Sequence, residues 1–264
     1  MRLPLHQVDA FASEIFRGNP AAVCPLEAWL PDETMQAIAM ENNLSETAFF
    51  VREGDAHRIR WFTPVSEVPL CGHATLASAW VLFHALGAPG DEVRLVSKSG
   101  PLSVRRRGEL LVLDFPVLPL DRCSAPFGAN GAAIDAIGSP PVEVHGREGL
   151  LFAVYGDEAQ VRALTPDFPV LARADLRVIV TAPGSDVDFV SRFFAPSEGI
   201  DEDPVTGSAH CTLIPYWAER LGKTTLRARQ VSRRGGELEC ALVGDRVHIG
   251  GRAVRYLEGT ITIP

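Results

Sequence analysis

The chain nearly repeats one motif, once in each half. The first copy runs Phe62-Thr63-Pro64, then Ser66-Glu67, then Pro69-Leu70-Cys71-Gly72-His73-Ala74. The second runs Phe194-Ala195-Pro196, then Ser197-Glu198, then Pro204-Val205-Thr206-Gly207-Ser208-Ala209. Phe62 and Phe194 lie 132 residues apart, half of the 264-residue chain, and Gly72 and Gly207 lie 135 apart. Each copy reads as a hydrophobic strand end, a proline-containing loop, a glycine turn and an apolar helix. Two such units facing each other would aim two helix N-termini into one cleft. Backbone N–H groups at helix starts are unpaired and carry partial positive charge, so the cleft would suit a small anionic molecule.

The flanking segments support two domains, at 1–116 and 117–264. Strand patterns appear at Gln7–Phe11, Ala21–Cys24, Leu44–Val51, Arg58–Thr63, Glu92–Ser97, Leu102–Arg106 and Leu110–Phe115. A helix opens at Pro31-Asp32-Glu33 with Met35, Ile38 and Ala39 on its apolar face. Ala74–Leu86 is apolar nearly all round, which predicts a buried helix. The proline-rich stretch Phe115–Leu120 is the best linker. In the second half, strands are expected at 149–155, 176–182, 187–194, 226–232, 236–243, 246–250 and 260–263. A short helix is expected at 157–164. A second apolar helix should span 209–221, closed by Gly222. The fold class is α+β: two pseudo-symmetric domains, each a curved, barrel-like sheet around one buried helix.

Composition removes several function classes. A net charge of −8 argues against nucleic acid. No apolar stretch is long enough to span a bilayer and no secretory leader is visible, so no membrane partner is expected. The five cysteines are odd in number, widely spaced and lack a C-x-x-C pair. That argues against a disulfide framework and against a zinc site, and it fits reduced thiols in a cytoplasmic protein. Arg105-Arg106-Arg107 before Gly108 reads as a solvated hairpin turn.

Few residues carry chemistry. Glu46 is an acid at an apolar strand entry, where desolvation favours proton exchange near neutral pH; the alternative is an edge carboxylate facing water. Asp203 follows Asp201 and Glu202 just before a helix start, so it is either a reacting acid or a macrodipole and cap residue. Cys71 sits at the other helix start, where a thiol is expected to have a lowered pKa and act as a base. A thiol base that inverts a carbon needs a second acid opposite it, and the repeat places Thr206 at the equivalent position, which disfavours a two-thiol racemase. His73 is a proton carrier, an orienting group, or a helix-capping imidazole. Ser208, equivalent to His73, is either a carboxylate-binding hydroxyl or an ordinary cap. The segment Arg229–Glu237 reads as a hairpin, with arginines facing an anion as the alternative.

Together these segments resemble the PhzF-like phenazine-biosynthesis family, within the diaminopimelate epimerase-like fold. The matching pieces are Val8–Phe11, Gly18–Val23, Asn43–Phe49, Arg60–Pro64, Cys71–Thr75, Glu202–His210, Pro215–Trp217, Gln230–Gly236 and Gly250–Val254. The resemblance implies a homodimer of two-domain subunits with the active site in the interdomain cleft. It implies a cofactor-free, metal-free isomerase acting on a small anionic substrate. It also implies Glu46 as the central acid/base, with His73, Asp203 and Ser208 lining the site. Gly72 and Gly207 would contribute backbone contacts. An amino-acid epimerase of the same fold and a non-catalytic binding protein are the alternatives.

Overall fold

The computed structural model describes residues 1–120 and 131–264, so Cys123 lies outside the described residues. Two compact units emerge: Met1–Phe115 with His248–Pro264, and Pro116–Val247.

In the first unit, β1 (Arg2–Ala10) and β2 (Asn19–Leu26) precede helix α1 (Asp32–Asn42). Strands β3 (Glu46–Glu53), β4 (Ala56–Phe62) and the short β5 (Glu67–Val68) lead into α2 (Gly72–Trp80). Strands β6 (Glu92–Ser97), β7 (Gly100–Arg107) and β8 (Leu110–Pro116) follow. The acidic Asp32 and Glu33 occupy the first turn of α1, and Asn43 closes it in the left-handed conformation, its N–H donating to Ala39 O. The inner face of α1, Met35, Ile38 and Ala39, packs with Cys24, Phe49 and Phe62 in one core. Helix α2 is buried from Gly72 to Ala79, as its all-round apolar sequence requires. It packs on β1, β2, β3 and β7, strands far apart in the ladder, so the sheet curls around it. Its last turn, Val81–Ala85, widens to a π-helix with Leu86 N–H on Val81 O.

The second unit begins with α3 (Gly131–Asp135), β9 (Glu143–Arg147) and β10 (Leu150–Val154). Helices α4 (Glu158–Ala163) and α5 (Phe168–Ala174) precede β11 (Arg177–Pro183), β12 (Phe189–Ala195) and β13 (Ile200–Asp203). The central helix α6 (Gly207–Leu221) is followed by β14 (Thr225–Gln230), β15 (Gly236–Val243) and β16 (Arg246–Gly251), whose residues from His248 onward belong to the first unit. Asp157 and Asp167 cap α4 and α5 through Gln160 N–H and Val170 N–H. Gly222, at φ 65°, ends α6. Pro215 has no N–H, so the Cys211 carbonyl one turn earlier is left over inside α6, and it accepts from Leu118 N–H at 3.0 Å. The helix thereby holds the proline-rich stretch after β8 against itself.

The two ladders follow one scheme. In the first, β1–β2 is antiparallel, β2–β3 parallel, β3–β4 antiparallel, β4–β6 parallel and β6–β7 antiparallel. In the second, β9–β10, β10–β11, β11–β12, β12–β14 and β14–β15 repeat that order of directions. Short β5 and β13 pair with β4 and β12 in the same way. The C-terminal end departs from the expected 117–264 domain. The last strand, β17 (Ala253–Thr262), pairs with β1 from Ala10↔Ala253 to Arg2↔Thr262, which returns His248–Pro264 to the first unit.

One ion pair recurs with the scheme. Arg60 on β4 forks onto Glu67 of β5, Nε–Oε1 and Nη2–Oε2 both 2.8 Å. Arg192 on β12 forks onto Glu202 of β13 at 2.7 and 3.0 Å. The guanidinium lies over Phe62 in one unit and over Phe194 in the other, at 5.1 and 4.9 Å. Arg192 also donates to the carbonyls of Val161 and Leu164. Both arginines are largely withdrawn from solvent, at 16% and 11% exposure. Replacing Arg192 with Met is expected to cost about 2–3 kcal/mol in chemical denaturation, between the values for exposed and buried pairs. The Arg192→Met/Glu202→Leu double variant should recover part of that loss, since it no longer strands a half-buried carboxylate.

Candidate functional site

The first unit gathers Glu46, Cys71 and His73. Glu46 begins β3, beside Ala21 of β2. Cys71 is the extended residue before α2, at φ −145°, and Gly72 and His73 form the first helical positions. His73 is buried. Its Nε2 lies 3.1 Å from Glu46 Oε2, and its Nδ1 lies 3.1 Å from Asn19 Nδ2 and 3.5 Å from Cys71 Sγ. The Glu46–His73 contact is within ion-pair distance but off the hydrogen-bond line, so Glu46 Oε2 and His73 Nε2 remain buried polar atoms without a hydrogen bond. Two such atoms set against each other are poised to pass a proton or to take a polar group from a ligand.

Burial opposes a charge on His73. The Cys71 sulfur and the Glu46 carboxylate outweigh it and hold the imidazole well above its ordinary range. The Cys71 thiol is itself pushed up to about 11, by burial first and then by the Glu46 carboxylate. With the thiol protonated at neutral pH, the Glu46 carboxylate is the remaining charge facing His73 that favours its cation. This corrects the expectation of a lowered Cys71 pKa: desolvation at a fully covered position overrides the helix start. Cys24 and Cys211 are likewise pushed up to about 12 by burial.

The trio offers oxygen, sulfur and nitrogen within 4.8 Å, a donor set a divalent ion would accept. The sulfur and the carboxylate approach opposite ring nitrogens, however. Those lone pairs diverge, so one ion would engage at most two of the three without side-chain rotation.

The second unit builds its helix start from other residues. Thr206, the extended residue before α6, donates its hydroxyl to Asp203 Oδ2 at 2.5 Å. Gln230, fully buried on β14, accepts from Thr206 N–H at 2.9 Å and donates to Asp203 O at 2.7 Å. Ser232 donates to Pro204 O. The Gln230–Gly236 stretch thus clamps the Asp203–Thr206 turn, a role its sequence did not disclose, while Arg229 is engaged by Asp186 and Glu237. Asp203 is buried and Ser208 exposed; Asp201 is exposed, and Glu202 is held by Arg192. At neither helix start does the preceding side chain cap an N–H. The first-turn carbonyl contacts match: Thr75 donates to Cys71 O, and His210 Nδ1 donates to Thr206 O at 2.8 Å.

The ladder register shows what each unit places at equivalent points. Thr47 faces Phe62 and Val178 faces Phe194, so Arg177 stands where the first unit has Glu46. Thr206 stands for Cys71, and Ser208 for His73. The acid–imidazole pair therefore belongs to the first unit alone. Sequence reading missed Asn19 and Gln230. Asn19 lay in the Gly18-Asn19-Pro20 turn signal, whose glycine and proline masked it.

His210 is pushed down to about 4 by burial. An unfolded histidine titrates near 6.5, so between those values the unfolded chain binds the extra proton. Stability contributed by neutral His210 is complete above 6.5 and is lost as pH falls toward 4. His73 has the opposite sign: its contribution is complete below 6.5 and is lost as pH rises through its raised value. Urea midpoints measured from pH 7 to 4 should fall less steeply for His210→Asn, which keeps a donor for Thr206 O, than for wild type.

The comparisons with known proteins agree with this architecture. The family model described as phenazine biosynthesis-like protein matches residues 8–259. An uncharacterized isomerase of Pseudomonas aeruginosa is 57% identical over 264 residues, covering 100% of both chains. The phenazine biosynthesis-like domain-containing protein 1 of Mus musculus is 42% identical, covering 99% of this chain and 100% of its own. Among solved structures, a PhzF-family protein of Enterococcus faecalis superposes with a TM-score of 0.94 at 49% identity, covering 100% of both chains. A hydroxyproline epimerase of Agrobacterium vitis shares the fold, with a TM-score of 0.64 at 11% identity, over 98% of this chain and 92% of its own. The two α+β units have the diaminopimelate epimerase-like fold, and the chain belongs to the PhzF-like, phenazine biosynthesis-like family.

Proposed function

We propose that this chain is an isomerase that moves a proton within a small, carboxylate-bearing substrate, using Glu46 as its acid/base and no cofactor. The observation that carries the reading is the buried Glu46–His73 pair, 3.1 Å apart, with a polar atom of each lacking a hydrogen bond. Glu46 would take a proton from carbon and return it to another carbon on the same face. The His73 cation would stabilise charge on the substrate as the proton leaves. In the second unit, Asp203 would relay protons. Ser208 and the uncapped N–H groups at Gly207 would hold the anionic group, as Gly72 would by its own N–H. A second copy of the chain is the proposed macromolecular partner, on the strength of the family resemblance.

Inversion of one carbon by a pair of thiols fits poorly. Thr206 replaces the second thiol, and Cys71 is protonated at neutral pH. Among the described residues no helix is long and apolar enough to cross a membrane.

Proton exchange in D2O, followed by NMR over a panel of small cyclic dienoic acids and α-amino acids, tests the reading. Deuterium should enter one compound with wild type. The rate should fall at least about 100-fold in Glu46→Gln, the usual size of a general acid/base contribution. Cys71→Ser should stay within about 10-fold of wild type. Normal exchange by Glu46→Gln would overturn the assignment.

A further inference from the structure

Asn19 is fully buried at the head of β2. Its place is set locally. Gly18 adopts φ +63°, and a Cβ there would come within 2.1 Å of Ala10 O, so only glycine lets the chain turn into Asn19. Pro20 then keeps Asn19 extended. The result is an amide set 3.1 Å from Nδ1 of His73.

His73 meets different chemistry at its two nitrogens. The titratable groups facing it are Glu46, from β3 at Nε2, and Cys71, from the start of α2 at Nδ1. Asn19, from β2, is the neighbour that does not titrate. We propose that Asn19 is a positioning residue that keeps the proton of neutral His73 on Nε2, facing Glu46, and that also serves the cation by turning its amide. With its N–H2 toward the ring, the amide requires Nδ1 to accept, so the single proton of a neutral imidazole resides on Nε2. With its oxygen toward the ring, the amide accepts from Nδ1–H of the imidazolium. Both states are satisfied without moving the ring, and in both Nε2 carries the proton that faces Glu46 Oε2. A carboxylate at position 19 would serve only the cation, and an apolar side chain would serve neither. The Cys71 thiol, at 3.5 Å, is a weak substitute.

The consequence for turnover rests on the proton-transfer reading above, but the tautomer can be read without any substrate. Protein labelled with 15N-histidine would be followed by long-range 1H–15N NMR as pH is raised from 7 to 10. His73 would be assigned among the seven histidines by its loss in His73→Gln. In wild type, the deprotonated ring should show a protonated Nε2 and a bare Nδ1. In Asn19→Leu, the two nitrogens should give averaged, mixed-tautomer shifts. Asn19→Asp, which is isosteric and carries the test if the leucine variant does not fold, should retain Nδ1–H to higher pH than wild type. An unchanged Nε2–H tautomer in Asn19→Leu, or an unchanged titration in Asn19→Asp, would overturn the inference. Neither result touches the Glu46 assignment, which stands or falls on proton exchange by Glu46→Gln.

Discussion

The forked arginine–glutamate pair is the constraint from which both halves of the chain take their shape. Arg60 and Arg192 each leave a strand, lie over a phenylalanine two residues on, and grip a glutamate on the short strand that follows. The grip fixes the reversal between the long strand and the central helix. That reversal decides where the helix begins, and therefore where its first N–H groups and side chains are set. A forked guanidinium–carboxylate contact defines both separation and plane, which a hydrophobic contact would not. Beneath it, α2 can be apolar nearly all round because the sheet covers it, while α6 buries residues 209–214, Trp217 and Ala218 and leaves Glu219, Arg220 and Leu221 exposed.

Once that frame is set, the two units differ by a few substitutions on a repeated scaffold. Register-equivalent points hold Glu46 or Arg177, Cys71 or Thr206, His73 or Ser208, and Thr75 or His210. The last pair does one job in both units, holding the carbonyl of the residue before the helix. The first three do not. Only the first unit sets a carboxylate against a buried imidazole, while the second sets a hydroxyl onto Asp203 and braces the turn with Gln230. The proposed movement of a proton along one face calls for one acid/base pair, whereas inversion calls for two groups on opposite faces.

Much of this was legible in the sequence because the repeat carries its own register. The strand ends, the glycine turns and the apolar helices were readable at an offset of half the chain, and the family resemblance pointed to Glu46 and His73, which lie 3.1 Å apart. What escaped was of three kinds. The strand Glu143–Arg147 carries one apolar side chain in five residues, so its alternation is too weak to notice. The helix Phe168–Ala174 has a proline, Pro169, in its first turn and is short, so it reads as a loop. The strand expected at 260–263 extends back to Ala253, and that exposed length owes its place to pairing with the N-terminus, a contact across the whole chain that no local pattern encodes. At the site, the Cys71 thiol was misjudged because a helix start is visible in sequence while complete burial is not. Asn19 and Gln230 lay inside motifs read for their glycines, prolines and arginines, and their hydrogen bonds span 54 and 24–27 residues.

The central claim is that the Glu46 carboxylate sustains a buried His73 cation at neutral pH. The most direct test is a 15N shift titration of His73 in wild type and in Glu46→Gln. The account predicts that wild-type His73 stays protonated well above pH 6.5 and that its midpoint drops when the carboxylate is removed. A wild-type His73 that titrates at or below 6.5, with the same midpoint in Glu46→Gln, would contradict it.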